Sequence, residues 1–188
     1  MTTATVPAAT RLTPVLQRLY FVRFGFALVW AVLLCATASS IGVLSATLLV
    51  LYPLFDVAAA IVDARSSRAA GATPHELYAN IAISTLAAVG LTLALGSGVA
   101  GVLRVWGAWA VVAGLVQLAV ALRRRALGGQ WALIASGSIS VLAGVNFVVM
   151  AASDGASLAS VAGYALLGGV FFLVSALRLG HALPERSR

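Results

Sequence analysis

The amino-acid sequence predicts an all-α, polytopic membrane protein with six transmembrane helices arranged as three repeated helical hairpins. Three observations support this prediction: little charge, six long apolar runs, and short turn signals that pair the runs. Of the 188 residues, 62% are hydrophobic and 9% are charged, whereas a soluble domain carries about 25% charged residues. So few charges cannot cover a water-facing surface, and we expect the lipid bilayer to surround this chain.

Each apolar run is long enough to cross the hydrocarbon core, which takes about 20 residues as an α-helix. The runs are apolar on all faces, as membrane helices are, and lack the alternation of a transmembrane β-strand. The predicted spans are residues 20–38, 41–62, 77–95, 99–122, 131–152 and 158–179. The chain then divides into a cytoplasmic segment at 1–18, a transmembrane bundle at 19–180 and a cytoplasmic tail at 181–188.

Short turns pair these runs into hairpins. Residues 37–40, 96–98 and 153–155 are rich in Gly, Ser and Asp, which permit tight turns and cap helices. The two remaining connections, 63–76 and 123–129, are longer and basic. The first of them ends in the capping-box pattern Thr-Pro-His-Glu, which predicts that the third helix begins at Pro74.

Arginine lies almost entirely at one end of the predicted bundle. Eleven of the twelve arginines lie in the terminal segments, in the longer connections or, as Arg23 and Arg178 do, at the adjoining ends of the first and last runs, and Arg104 alone lies at the opposite end. Because cytoplasmic connections of membrane proteins carry the excess of basic residues, we expect both termini to be cytoplasmic. Arg11, Arg18 and the sequence Ala-Thr-Ala at 36–38 also fit a cleaved signal peptide, although the apolar run is long for one.

The even-numbered runs share a pattern that suggests a threefold repeat of about 55 residues. In each of them, one residue precedes an arginine by nine positions. The pairs are Asp56 and Arg65, Gly114 and Arg123, and Gly169 and Arg178.

Three stretches resemble the HdeD-like acid-resistance membrane proteins. They are WGAWAVVAG at 106–114, QWALIASGSISVLAG at 130–144 and GYALLGGVFFL at 163–173. The resemblance extends over about residues 23–179, although the prolines that this family has in its outer turns are missing and Asp56 stands where a small residue is expected. It implies a repeated six-helix bundle in a bacterial inner membrane and a role in envelope stress or acid tolerance.

Asp56 is the leading candidate for a functional residue because an ionisable side chain inside a membrane helix is costly. Pro53 lies three residues earlier, where it would kink the helix. Arg23 lies about one turn into the first run from the same end, so a structural ion pair is one interpretation. Proton or ion handling and a position at headgroup level are the alternatives.

Three amides, Asn80, Gln117 and Asn146, lie in successive runs. Such amides usually form hydrogen bonds between helices, and a polar permeation path is the alternative. Arg104, with Trp106 and Trp109 beside it, fits an interfacial aromatic belt around a snorkelling arginine. An anion site at Arg104 is the second interpretation.

Two further groups predict packing and anchoring. Ser136, Ser140 and Gly144 recur every four residues, and such a small-residue stripe lets another helix approach closely. Arg123, Arg124 and Arg125 are expected at the inner leaflet, where attraction to anionic lipid contributes about 1 kcal/mol per residue.

No residues in the sequence indicate catalysis, a metal or a cofactor. Two His and five acidic residues are too few and too scattered for an active site or a zinc site, and the lone Cys35 excludes an internal disulfide. We therefore expect a non-catalytic protein of the HdeD-like kind. A small proton-linked transporter or channel using Asp56, or an accessory subunit, is the alternative. The expected partners are the bilayer and a second copy or another membrane protein, and not nucleic acid.

Overall fold

The computed structural model describes residues 8–38, 40–69, 71, 73–123, 125–127, 130–153 and 155–181, and no strand occurs within these ranges. The helices are α1 (Ala8–Ala36), α2 (Val43–Ala69), α3 (His75–Ala94), α4 (Gly98–Arg123), α5 (Trp131–Met150) and α6 (Ala159–His181). Two 3-10 turns, Leu95–Ser97 and Arg125–Leu127, lie beside α4. Among the predicted positions, Ser39, Arg124, 128–129, Asp154 and 182–188 lie outside the described residues.

Five helical stretches are long and apolar enough to cross a membrane. One of them, His75–Arg123, contains 49 residues and combines α3, a 3-10 turn and α4. The prediction of an all-helical protein whose helices are long and apolar enough to cross a membrane is thereby confirmed for the described residues.

The chain reverses direction between α3 and α4. Gly98 has φ +69°, a left-handed conformation that glycine adopts without steric cost. Beyond it, Trp109 Nε1 lies 3.3 Å from Ser84 Oγ, whereas 25 residues of continuous helix would separate the two residues by about 37 Å. The long helical stretch is therefore folded back on itself at Leu95–Ser97.

The helix ends differ from those predicted. α1 begins at Ala8 rather than at residue 20, and α2 continues to Ala69 through much of the predicted loop. A helix satisfies its backbone hydrogen bonds internally, so it can continue past its apolar part. The predicted capping box is wrong, because Pro74 is the N-cap of α3 and no side chain caps that helix.

The six helices form a closed ring in sequence order, in which α6 returns to pack against α1. The most extensive packing joins α4 to α5, α1 to α6 and α2 to α3, whereas α5 and α6 share the least of all adjacent helices. The closest helix pairs therefore lie across the predicted hairpins and not within them.

Glycines bring α4 and α5 into backbone contact. A Cβ added to Gly144 would lie 2.5 Å from the Gly107 carbonyl oxygen, and one on Gly114 would lie 2.7 Å from the Gly137 carbonyl oxygen. Ser140 is buried in the same interface. Ser140 and Gly144 therefore pack as predicted. Ser136 was placed on the stripe wrongly, because Gly137 takes that place, one residue further round the helix.

Replacing Gly144 with alanine should lower the thermal stability of the protein in detergent, because the new Cβ collides with the backbone of α4 and separates the helices. Gly163→Ala is the matched control, since Gly163 is exposed in α6 and has no atom within 4 Å of an added Cβ. Alanine favours a helix over glycine by about 1 kcal/mol, so this control should keep or raise the melting temperature. Equal melting temperatures for the two variants would contradict the close α4–α5 contact.

Candidate functional site

The candidate site is built around Asp56, which lies in α2 less than one turn after Pro53. Proline removes a backbone donor and kinks a helix at this point. The Asp56 side chain is 21% exposed and faces the interior of the ring. An ionised carboxylate in this position must be compensated by charge or by hydrogen bonds.

Arg23 on α1 supplies the opposite charge. Its Nη2 donates to Asp56 Oδ1 over 2.9 Å, and its side chain is 12% exposed. The guanidinium carbon also lies 4.6 Å from the centroid of the Phe172 ring on α6, a cation–π distance. The ion pair predicted between Arg23 and Asp56 is thus present, and it links α1, α2 and α6.

The second oxygen of Asp56 accepts two further hydrogen bonds. Asn80 Nδ2 donates to Oδ2 over 2.7 Å, and Ser84 Oγ donates to it over 2.8 Å. Trp109 Nε1 on α4 donates in turn to Ser84 Oγ over 3.3 Å. The carboxylate therefore accepts hydrogen bonds from α1 and α3, and α4 is attached through one serine.

A cavity of about 750 Å³ lies beside this network and is lined by all six helices. Its lining includes Leu16, Glu76, Gln130 and Arg178, so it reaches the arginine-rich end of the bundle. The polar groups lining it include Arg23, Asp56, Asn80, Gln117, Ser136 and Ser140. The cavity thus connects one end of the bundle with the ion pair.

The floor of the cavity is formed by Tyr52, Trp109, Ser140 and Tyr164. The three aromatic residues also pack against the buried core, and Tyr164 donates its hydroxyl to Ser140 Oγ over 2.9 Å. Along α6, the distance from Tyr164 to the cavity-lining Leu179 is about 22 Å at 1.5 Å per residue. The cavity is therefore deep, and its floor is polar as well as aromatic.

Beyond the floor, the other half of the bundle is filled. The Trp30 and Trp106 rings stack with centroids 5.5 Å apart, and both side chains are at most 1% exposed. Trp30 Nε1 donates to the Leu48 carbonyl oxygen over 2.6 Å. Leu34 and Leu103 are fully buried in the same cluster. This half of the ring is therefore packed around a buried cluster of aromatic and aliphatic side chains.

The predicted aromatic belt around Arg104 is wrong. Arg104 is exposed, but Trp106 is fully buried and Trp109 is partly buried at the cavity floor. Successive helical residues are about 100° apart, so Arg104 and Trp106 point in nearly opposite directions. Within the described part of the chain, Trp106 Nε1 has no hydrogen-bond partner. The hydrocarbon core would offer it none either.

The three predicted amides have different surroundings. Asn80 forms its hydrogen bond across helices, as predicted, and Gln117 lines the cavity. Asn146 was predicted to bond between helices, and this is wrong. It is exposed, and among the described residues its Nδ2 contacts Met150 Sδ of its own helix, at 3.2 Å.

Arg123 and Arg125 are exposed at the arginine-rich end of the bundle. No cluster of three or more His, Cys, Asp or Glu side chains that could hold a metal ion occurs among the residues that the structure describes. Chemically, the arrangement can bind a small molecule through amide, hydroxyl, guanidinium and carboxylate groups set among aromatic walls.

Ser84, Tyr52 and Tyr164 are site residues that sequence reasoning missed. Ser84 lies one helical turn after Asn80, and residues four apart share a helix face, so this spacing could have identified it. Nothing in the sequence distinguishes Tyr52 or Tyr164 from other aromatic residues in apolar helices.

Removing one partner of the ion pair should destabilise the protein more than removing both. Asp56→Asn or Arg23→Gln alone leaves an uncompensated charge. Breaking a fully buried pair costs about 3–5 kcal/mol, and this partly buried pair should lose less. The double variant has no net charge to bury and should recover part of that loss. Thermal unfolding of the three variants in detergent measures the coupling. Additive losses, with no recovery in the double variant, would contradict it.

Comparison of this chain with protein-family models, curated proteins and solved structures found no match. The resemblance to the HdeD-like proteins therefore remains a prediction from the residues that suggest it.

Proposed function

We propose that this chain is a non-catalytic membrane protein of six spans, paired as three hairpins by its short turns, that binds a small molecule in its central cavity. The observation that carries this proposal is the cavity of about 750 Å³, which runs from the arginine-rich end to the Arg23–Asp56 pair. Binding pockets for small molecules are concave, mostly apolar and contain a few placed polar groups. The cavity has this composition.

The cavity opens toward the cytoplasm in this proposal. Arg123, Arg125 and Arg178 all lie at the end that the cavity reaches, and cytoplasmic ends of membrane proteins are enriched in arginine and lysine. Both termini then face the cytoplasm of a bacterial inner membrane, and the exposed arginines contact anionic lipid. Envelope stress or acid tolerance, which the HdeD-like resemblance implies, is the proposed physiological setting.

Cysteine labelling tests both the water access of the cavity and its orientation. In a Cys35→Ser background, Gln117→Cys should react with a membrane-impermeant maleimide in inside-out vesicles but not in right-side-out vesicles, because its side chain lines the cavity. Leu115→Cys is the matched control. Leu115 lies two residues away on the same helix and is 53% exposed on the outside of the ring, where a thiol in hydrocarbon remains unreactive.

Two outcomes would overturn the proposal. Lack of labelling of Gln117→Cys from either side of the vesicles, and also in delipidated protein in detergent, would mean that the cavity is closed to water. Labelling from the periplasmic side alone would mean that the cavity opens in the opposite direction.

A proton-linked transporter or channel is the second candidate function. The position of Asp56 in the lining of the cavity favours it. Water in the cavity would bring protons to a carboxylate, and intramembrane acids commonly serve proton relays. The three donors that surround Asp56 favour a structural role instead.

Proton flux into proteoliposomes, followed with a pH-sensitive dye, separates these roles. The Arg23→Gln, Asp56→Asn double variant is the informative protein, because it removes the ionisable group without leaving an unpaired charge. If Asp56 transfers protons, a wild-type flux should fall to the level of empty liposomes in this variant. Equal flux in the two proteins, or none in either, would exclude the role.

A further inference from the structure

The seam between α5 and α6 is the weakest contact in the ring. Tyr164 joins the two helices through its hydrogen bond to Ser140 and a ring contact with Phe147, with centroids 5.6 Å apart. The contact with Ser140 lies at the floor of the cavity, and the contact with Phe147 lies in the packed half of the bundle. Between the floor and the arginine-rich end, the facing residues of α5 and α6 instead line the cavity.

Several residues along this stretch of the cavity wall are exposed or have open surroundings. Ala132 on α5 and Leu167 on α6 line the cavity and are nevertheless exposed, Leu167 to 41%. Gly168, which also lines the cavity, has no atom within 4 Å of an added Cβ. Together with the sparse packing between α5 and α6, these open surroundings leave space in the cavity wall between the two helices.

The part of α6 that lines the cavity beyond its floor has about the length of one lipid leaflet. From Leu167 to the cavity-lining Arg178, α6 rises about 16 Å at 1.5 Å per residue. Half of a hydrocarbon core of about 30 Å is about 15 Å. A lateral opening of this length on a membrane helix bundle faces acyl chains, not water.

The lining suits an acyl chain with an anionic headgroup. The walls between floor and end are mainly aliphatic and aromatic, with Leu133, Phe171 and Phe172 among them. Arg178, which is exposed, lines the end where a headgroup would lie. Basic residues at a membrane surface attract anionic headgroups.

We propose that an anionic phospholipid of the leaflet at the arginine-rich end inserts one acyl chain into the cavity through the α5–α6 seam, with its headgroup beside Arg178. This inference deepens the proposed function and rests on it, because it identifies the small molecule in the cavity as a membrane lipid.

Photo-crosslinking tests this. The full chain is reconstituted in liposomes containing phosphatidylglycerol with a photoactivatable group at the end of one acyl chain, and crosslinked peptides are mapped by mass spectrometry. Crosslinks are expected on cavity-facing positions such as Ser136 and Phe171, in addition to the outer surface. Gly168→Phe should reduce the cavity crosslinks to background, because the ring fills the seam. Gly163→Phe should leave them unchanged, because Gly163 is exposed in the same helix and has equally open surroundings.

The role of the lipid headgroup is tested with the variant Arg178→Gln. This variant should lower the cavity crosslinks from phosphatidylglycerol about fivefold, because one basic residue at a membrane surface contributes about that factor to the binding of anionic lipid. Crosslinks from phosphatidylcholine carrying the same photoactivatable chain should not change. Crosslinks confined to the outer surface of the wild-type protein would overturn the proposal, as would equal cavity crosslinks in Gly168→Phe and Gly163→Phe.

The outcomes also separate this inference from the proposed function. If Gln117→Cys is labelled from the cytoplasmic side while the cavity shows no lipid crosslinks, the cavity remains a binding site for a water-soluble molecule and the lipid inference fails alone. If neither labelling nor crosslinking reaches the cavity, both proposals fail. Cavity crosslinks with labelling only after delipidation would mean that the acyl chain keeps water out of the cavity, and would support both proposals.

Discussion

The ion pair between Arg23 and Asp56 holds the hollow half of the bundle together. Its two charges connect α1 to α2, the amide and hydroxyl on α3 complete the carboxylate's hydrogen bonds, and the arginine lies over an aromatic ring of α6. Trp109 attaches α4 through Ser84. An unpaired charge at this depth would be costly, so the helices around the pair cannot rearrange independently of it.

The remaining stability comes from two kinds of packing that leave the cavity open. Glycines allow α4 and α5 to approach until their backbones are in contact. This close van der Waals contact lies between the two helices, so it does not require side chains that fill the centre of the ring. Stacked tryptophans fill the other half. Neither kind of packing occurs between α5 and α6 along the cavity, and these two helices share the least packing of all adjacent pairs.

The ion pair could be predicted from the sequence because charge is rare in this chain. Asp56 and Arg23 are among very few ionisable residues within apolar runs, and counting residues places both in the half of their run that lies toward the arginine-rich end. Trp106 and Asn146 could not be placed in the same way. A tryptophan or asparagine in an apolar helix can face a neighbour or lipid, and residue spacing along one helix does not say where its neighbours lie.

By itself, the sequence determined that the chain is helical, that its helices are long and apolar enough to cross a membrane, and that a carboxylate among them needs a basic partner. Only the tertiary structure decided which helix faces point inward, that the closest pairs are α4–α5, α1–α6 and α2–α3, and that a cavity occupies the arginine-rich half. The physical reason is that lipid is as apolar as the interior of the bundle. The hydrophobic pattern therefore identifies the segments that can cross a membrane but not the face of each helix that points inward. That face is determined by contacts between helices.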